Sequence, residues 1–249
     1  MAGMRIAFLL LHDHRFSGWR LSDFLFSRYH FAKDYAKRMC EKGNYVFLYI
    51  LHEDVKQVEE YSVDGYTIRV LPVSFMFPPL VPIGSSHNFQ IIEELNFGDF
   101  DVVHFHNYYF WSLILVALAK RRARWRLIGQ YHGEPELQTF GKFVHRCLLG
   151  SLDRFLVSTR EEAFWLEKLR VDPRKIVTIP NVGIDTDLFR KVGEKESVPH
   201  FIYAGRMTVR PRTLKEQDPW LVLDVAKSLK SMLRSSRSSW WVMALDFKI

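Results

Sequence analysis

The chain has 249 residues, of which 48% are hydrophobic and 25% are charged. These proportions are ordinary for a globular protein and exclude a chain that is mainly disordered. The formal net charge of +7 favours anionic partners such as phosphates, nucleic acid or an acidic membrane surface, without choosing among them.

The amino-terminal region predicts a buried parallel strand followed by one long amphipathic helix. Met4–Leu11 has neighbouring apolar residues that would face both sides of a sheet. Ser22 is placed to cap the helix, whose apolar residues repeat at helical spacing up to Met39, and Gly43 is placed to end it. Further strands are predicted at Tyr45–Leu51 and Tyr66–Val73.

The next segment, Phe75–Ser86, contains Pro78, Pro79 and Pro82 and is predicted to be irregular, because proline disfavours both helices and strand ladders. Strands and helices then alternate again. We predict helices at His87–Asn96 and Tyr108–Arg122, and strands at Val102–His106, Arg126–Tyr131, Arg154–Ser158 and Ile176–Ile179. This alternation indicates a mostly parallel α/β sheet with helices on both faces, which binds ligands at the carboxyl ends of its strands.

A polar segment divides the chain. Lys191–Pro199 is short, lacks an apolar pattern and ends in proline, which is typical of an interdomain linker. We therefore predict one domain at residues 1–190, a linker at 191–199 and the start of a second domain at 200–249. The last segment has room for only two strands and one helix, so we expect a truncated protein, an engineered piece, or half of an enzyme that a second polypeptide completes.

The most specific signal is a series of short motifs in a fixed order. They are DVVHFH at Asp101–His106, GQYHG at Gly129–Gly133, DRFLVS at Asp153–Ser158, IPNVGIDTDLF at Ile179–Phe189 and FIYAGR at Phe201–Arg206. Their order and spacing resemble the family-four glycosyltransferases over roughly residues 4–226. The resemblance implies the GT-B fold of two Rossmann-like domains, here a GT-B N-terminal domain followed by an incomplete second domain. It also implies transfer of a hexose from a nucleotide-diphosphate sugar to a glycan or lipid-linked acceptor with retention.

The resemblance implies a site for the donor diphosphate on the second domain. Arg206 matches the arginine of the family's GR motif, and Lys215 is the candidate for a lysine that follows it, although a solvated loop lysine is the alternative. A departing diphosphate accumulates negative charge, which such cations stabilise. The nucleotide sugar is a co-substrate, and the resemblance implies neither a further cofactor nor a metal ion.

Four other residues are candidates for the reaction centre. His132 lies between a predicted strand and Gly133, and the resemblance implies that it contacts the transferred sugar or the acceptor. The alternative is a histidine held by hydrogen bonds within its own loop. Gly133, Glu134 and His106 are expected on the acceptor side of the cleft. His104 and His106 are expected on opposite faces of their strand, so no metal site is predicted for them.

A basic cluster follows an aromatic-rich predicted helix. Its members are Lys120, Arg121, Arg122, Arg124 and Arg126. Cations at the end of a helix suit the helix dipole, so a solvated basic face is one interpretation. Peripheral contact with an anionic membrane is the second, since basic residues beside aromatic ones favour such surfaces. Nucleic acid is the least favoured partner, and the prediction excludes it.

The remaining features set the expected location and the rival functions. No cleavable leader or spanning apolar run is evident, so a cytoplasmic protein is expected, with peripheral membrane contact as the alternative to a solvated basic face. Cys40 and Cys147 are expected to be free, buried thiols. Two rivals stay open beside the transferase. One is a non-catalytic binding or regulatory subunit, and the other is a sugar-nucleotide epimerase.

Overall fold

The computed structural model describes residues 3–13, 20–27, 30–73, 75–76, 86–106, 110–130 and 146–179. The strands are β1 Arg5–Asp13, β2 Tyr45–His52, β3 Glu59–Val63, β4 Tyr66–Pro72, β5 Phe75–Met76, β6 Ser86–His87, β7 Val102–His106, β8 Arg126–Gln130, β9 Arg154–Val157 and β10 Ile176–Thr178. The helices are α1 Leu21–Phe26, α2 Phe31–Glu41, α3 Gln90–Phe97, α4 Phe110–Lys120 and α5 Arg160–Lys168, with a 3₁₀ turn at Pro173–Lys175. The second predicted domain lies outside these residues, so the division of the chain stays a prediction.

One eight-stranded sheet organises the described residues, in the order β10-β9-β8-β7-β1-β2-β4-β3. All neighbouring strands in it are parallel except β3, which runs antiparallel to β4 at one edge. The predicted mostly parallel α/β sheet is confirmed. Because the parallel strands share one direction, their carboxyl ends meet at one edge of the sheet and their amino ends at the other.

Both faces of the sheet are covered, as the sequence predicts. Alternate residues of β1 enter different apolar clusters, with Phe8 on one face and Leu9 on the other, because side chains of a strand alternate. Helices α1 and α2 cover the Phe8 face, while α3, α4 and α5 cover the Leu9 face. Each fully buried large side chain contributes about 1.5–3 kcal/mol to folding.

The single long helix predicted after Ser22 is in fact two helices. The chain leaves α1 at Ser27, whose backbone is extended, and enters α2 from His30, whose backbone is also extended. The imidazole Nδ1 of His30 accepts a hydrogen bond from the amide of Ala32 at 3.3 Å, which caps α2. A local side-chain cap of this kind gives the backbone an alternative to continuing one helix.

Strand β3 was not predicted. It forms a hairpin with β4 through Asp64 and Gly65, whose φ angles are 46° and 87°. Only part of the β3 surface is buried, so its sequence lacks the apolar run that marks the central strands. The Asp-Gly pair was the available signal, since it favours the tight turn of a hairpin.

Two smaller expectations also need correction. The proline-containing segment is irregular only in part, because its ends pair as the short strands β5 and β6, while residues 77–85 lie outside the described part. Both cysteines are free thiols, but only Cys40 is partly buried, and Cys147 is exposed. Burial raises the pKa of the Cys40 thiol.

Candidate functional site

The ends of β7 and β8 lie side by side at the carboxyl edge of the sheet. His106 closes β7 and pairs in register with Gln130, which closes β8. In the sequence, His132, Gly133 and Glu134 follow β8 almost at once. These three residues lie outside the described part of the chain, as do Arg206 and Lys215, so their roles stay predictions.

His106 reaches this edge, but its ring is enclosed. The residue has no exposed surface, and its ring stacks on Phe8 of β1 at 5.2 Å and on Tyr35 of α2 at 5.9 Å, measured between centroids. Phe31 adds a further contact at 5.4 Å. His106 is therefore part of an aromatic cluster under α2, and its predicted contact with an acceptor stays a prediction.

His104 and His106 lie on the same face of β7, so the expectation that they face opposite sides is wrong. Their ring centroids are 4.2 Å apart and their planes are tilted by 28°. The physical reason is the two-residue period of a strand, which places residues i and i+2 on one face. Within the described ranges, no group of three or more His, Cys, Asp or Glu side chains is arranged to hold a metal ion.

Gln130 is a candidate that the sequence reasoning missed. Its side chain is 1% exposed, and its Oε1 has no hydrogen-bond partner in the part of the chain that the structure describes. Buried polar atoms nearly always have partners, so each exception needs an explanation, of which a catalytic role is one. A polar residue at the end of an apolar strand, just before the GQYHG loop, was the available sequence signal. Gln130 thus offers a buried acceptor two residues before His132 in the sequence.

Buried polar contacts fix the other strand ends at this edge. The hydroxyl of Ser112 in α4 donates to the carbonyl oxygen of Leu11 in β1 at 3.2 Å. The side-chain Nδ2 of Asn88 donates to the carbonyl of Pro72 at the end of β4, while its Oδ1 accepts from the backbone amide of Gln90, both at 2.7 Å. These bonds attach α4 to β1, and the turn that begins α3 to β4.

The amino end of α5, at the same edge, is occupied by its own side chains. The carboxylate of Glu162 accepts hydrogen bonds from the amides of Ser158 at 2.6 Å and Thr159 at 3.2 Å, and the Thr159 hydroxyl accepts from the Glu162 amide at 3.1 Å. This capping box satisfies the amides of Ser158, Thr159 and Glu162. The DRFLVS motif therefore ends directly before Thr159, the residue that caps α5.

The sequence-family model of Glycosyltransferase Family 4 matches residues 30–188, which is more than half of the chain. The chain belongs to this family.

Solved structures with a similar fold include HepE of Anabaena in complex with UDP and glucose, at 15% identity and a TM-score of 0.48. That match covers 76% of this chain and 47% of HepE. A glycosyltransferase from Rickettsia africae matches at 15% identity and a TM-score of 0.44, over 72% of this chain and 43% of its own. The chain thus spans less than half the length of these structures. No curated protein matches the chain in sequence.

Two aspartates of the glycosyltransferase motifs are structural. The carboxylate of Asp101 accepts a hydrogen bond from the amide of Arg5 at 2.8 Å, at the start of β1. The carboxylate of Asp153 accepts one from the amide of Leu127 at 2.8 Å, near the start of β8. Each aspartate therefore joins the amino end of its own strand to that of a neighbouring strand. The first residue of each of the motifs DVVHFH and DRFLVS therefore has a structural role at the amino edge of the sheet, opposite the carboxyl edge.

Lys120 does not belong to the solvated basic cluster. Its ammonium group lies 3.0 Å from the carboxylate of Asp153, donates to the carbonyl of Trp125, and sits 5.1 Å from the centroid of the Trp125 ring. The other members, Arg121, Arg122, Arg124 and Arg126, are exposed. They lie where α4 leads into β8, which is the amino edge of the sheet.

Burial raises the pKa of the Asp153 carboxyl, but the hydrogen bonds from the Leu127 amide and the Lys120 ammonium outweigh burial and hold this pKa below its ordinary value. Asp153 is therefore a firmly ionised group that fixes β8, β9 and the end of α4 together. None of the described helices is long and apolar enough to cross a membrane.

Proposed function

We propose that the chain supplies the acceptor-side domain of a glycosyltransferase that moves a hexose from a nucleotide-diphosphate sugar to a glycan or lipid-linked acceptor, with retention at the anomeric carbon. The family match over residues 30–188 supports the reaction class. The structural observation behind the proposal is the register of His106 with Gln130, which aligns two polar strand ends just before the His132 loop in sequence.

The roles follow the chemistry of the transfer. As the bond from the anomeric carbon to the diphosphate breaks, negative charge develops on the leaving group, and the cations of Arg206 and Lys215 stabilise it. His132 is the residue proposed at the reaction centre. Gly133 and Glu134 contact the acceptor from the same loop. The proposal includes no bound metal, since side-chain cations supply the positive charge.

Gln130 adds a described residue to this scheme. Its buried Oε1 can accept a hydrogen bond from a sugar hydroxyl or from a donor of the His132 loop, which satisfies an acceptor that is otherwise without a partner among the described residues. The proposal assigns it to positioning, beside the reacting atoms. The cytoplasmic location of the enzyme stays a prediction.

Calorimetric titration of the full chain with UDP- and GDP-sugars tests the proposal. We expect at least one sugar nucleotide to bind, and Arg206→Ala to weaken that binding about tenfold or more, as expected when a charged hydrogen-bond partner of a phosphate is lost. Arg38→Ala, which removes an exposed cation from α2, is the matched control. Equal affinities for the chain and its Arg206→Ala variant would contradict the proposed donor site. Transfer to any acceptor by the chain alone would exclude the non-catalytic rival, whereas binding without transfer fits both that rival and an enzyme half that a second polypeptide completes.

A further inference from the structure

A row of exposed arginines lies along the amino edge of the sheet. Strands β8, β9 and β10 are neighbours, so the turns that precede them lie next to one another. We call this surface the basic edge, and it comprises Arg121, Arg122, Arg124, Arg126, Arg154, Arg170 and Arg174, all exposed. Neighbouring strands are about 4.8 Å apart, so the row extends along one side of the domain.

The positive charge of the basic edge is only partly neutralised. Asp153 lies 3.6 Å from Arg126 but is already bonded to Lys120, and Asp172 pairs with Arg174 at 2.8 Å. Within the described ranges, no ion pair is formed by Arg121, Arg122 or Arg124. A surplus of accessible cations therefore remains at the start of β8.

Exposed apolar side chains continue the same edge. Met4 at the start of β1 is 46% exposed, Tyr45 at the start of β2 is 62% exposed, and Phe97 at the end of α3 is 85% exposed. Cations on one part of an edge and exposed aromatic and aliphatic groups farther along it match the interface of an anionic bilayer, where the cations meet headgroups and the apolar groups enter the boundary region.

Nucleic acid fits this surface less well. Proteins that bind single strands place aromatic rings among the cations so that bases can stack on them. Trp125 lies within the arginine run but is only 3% exposed and cannot provide such a platform. The exposed Tyr45 and Phe97 lie beside the starts of other strands, away from the arginines that precede β8.

We propose that the basic edge docks this chain onto anionic phospholipid headgroups. The edge lies at the opposite ends of the strands from His106 and Gln130. The surface differs from the cluster predicted from sequence, since Lys120 leaves it and Arg154, Arg170 and Arg174 join it. The proposal rests on this surface alone and does not depend on the transferase chemistry.

Flotation of the full chain with lipid vesicles tests the proposal. We expect binding to phosphatidylcholine vesicles that contain phosphatidylglycerol, little binding to phosphatidylcholine alone, and release as salt is raised. The double variant Arg122→Glu and Arg124→Glu should bind at least tenfold more weakly, since each cation near an anionic surface is worth roughly a fivefold change in affinity. The control, Lys37→Glu with Lys56→Glu, changes the charge equally at exposed positions away from the basic edge and should bind almost as the parent does.

The outcomes separate the alternatives. Equal vesicle binding by the parent and the arginine double variant would overturn the proposal. So would an absence of vesicle binding combined with tight, arginine-dependent binding of duplex or single-stranded RNA. Should the double variant unfold in circular dichroism, Arg122→Gln with Arg124→Gln makes the same test with a smaller change. Phe97→Ser should lower vesicle binding without altering its dependence on salt.

Discussion

The ammonium group of Lys33 in α2 donates a hydrogen bond of 2.8 Å to the carbonyl oxygen of Ser27, the residue that follows α1. It also bonds the carbonyls of Phe24 at 3.0 Å and Leu25 at 2.9 Å. All three donors of the lysine are thereby used. Burial lowers the pKa of this group, while the carboxylates of Asp64 and Asp34 oppose the shift. Lys33 thus satisfies carbonyls at the end of α1 that have no partner within the helix.

Replacing Lys33 by methionine should lower the free energy of unfolding by about 3 kcal/mol, because several buried carbonyls lose their charged donor. Urea unfolding followed by circular dichroism measures the change. Lys37→Met, at an exposed position of the same helix, should alter stability by less than about 0.5 kcal/mol. Similar losses for both variants would show that the hydrogen bonds from Lys33 to the end of α1, which we call the lysine clamp, contribute little to stability.

The lysine clamp helps to explain why the sequence predicted one helix where two exist. The apolar spacing from Leu25 to Met39 is helical throughout, and the break goes with local hydrogen bonds from the side chains of His30 and Lys33 to nearby backbone groups. The central strands were predictable because long apolar runs are required wherever both faces of a sheet are covered. The half-exposed edge strand β3 has no such run, so its position was missed.

One residue of the candidate site, His106, was predictable in its place but not in its surroundings. Parallel strands place their following loops at one edge, so His106 was expected there and is found there. Which atoms have partners depends on packing between distant strands, and only coordinates show that Gln130 Oε1 is buried without one in the described part. That His104 and His106 share one face of β7 and stack was predictable from the two-residue period of a strand alone.

Replacing Asp153 by asparagine should lower stability near neutral pH by about 1–2 kcal/mol, because the charged acceptor of the Leu127 amide and the Lys120 ammonium is lost. The folded-state pKa of Asp153 is depressed, so its contribution is complete above the unfolded pKa of about 3.9. It then disappears as the pH falls through the lower, folded value. Urea unfolding near neutral pH and again at about pH 3 should show the gap between parent and variant narrowing. A gap that does not change with pH would contradict this account.

Replacing Gln130 by leucine should leave stability unchanged or raise it by up to about 1 kcal/mol, since it removes a buried acceptor without a partner among the described residues. Sugar-nucleotide binding or sugar transfer should fall about tenfold if this acceptor meets a ligand hydroxyl. Thermal unfolding and calorimetric titration measure the two effects on the same preparation. The control variant Ser112→Ala removes a buried hydroxyl that donates to the carbonyl of Leu11. It should show the reverse pattern, which is lower stability with unchanged binding.

A last prediction concerns the attachment of α3 to the sheet. The carboxylate of Glu94 accepts hydrogen bonds from the Tyr49 hydroxyl at 3.2 Å and from the Arg69 guanidinium at 2.8 Å. Tyr49→Phe should cost about 1 kcal/mol, because Arg69 still pairs with Glu94, whereas Glu94→Leu should cost about 2–3 kcal/mol, because Arg69 loses its close partner. Chemical unfolding of both single variants and the double variant gives the coupling between Tyr49 and Glu94. A double variant whose loss equals the sum of the two single losses would show that the hydroxyl and the carboxylate act independently, and the bond would then not be what holds α3 against β2.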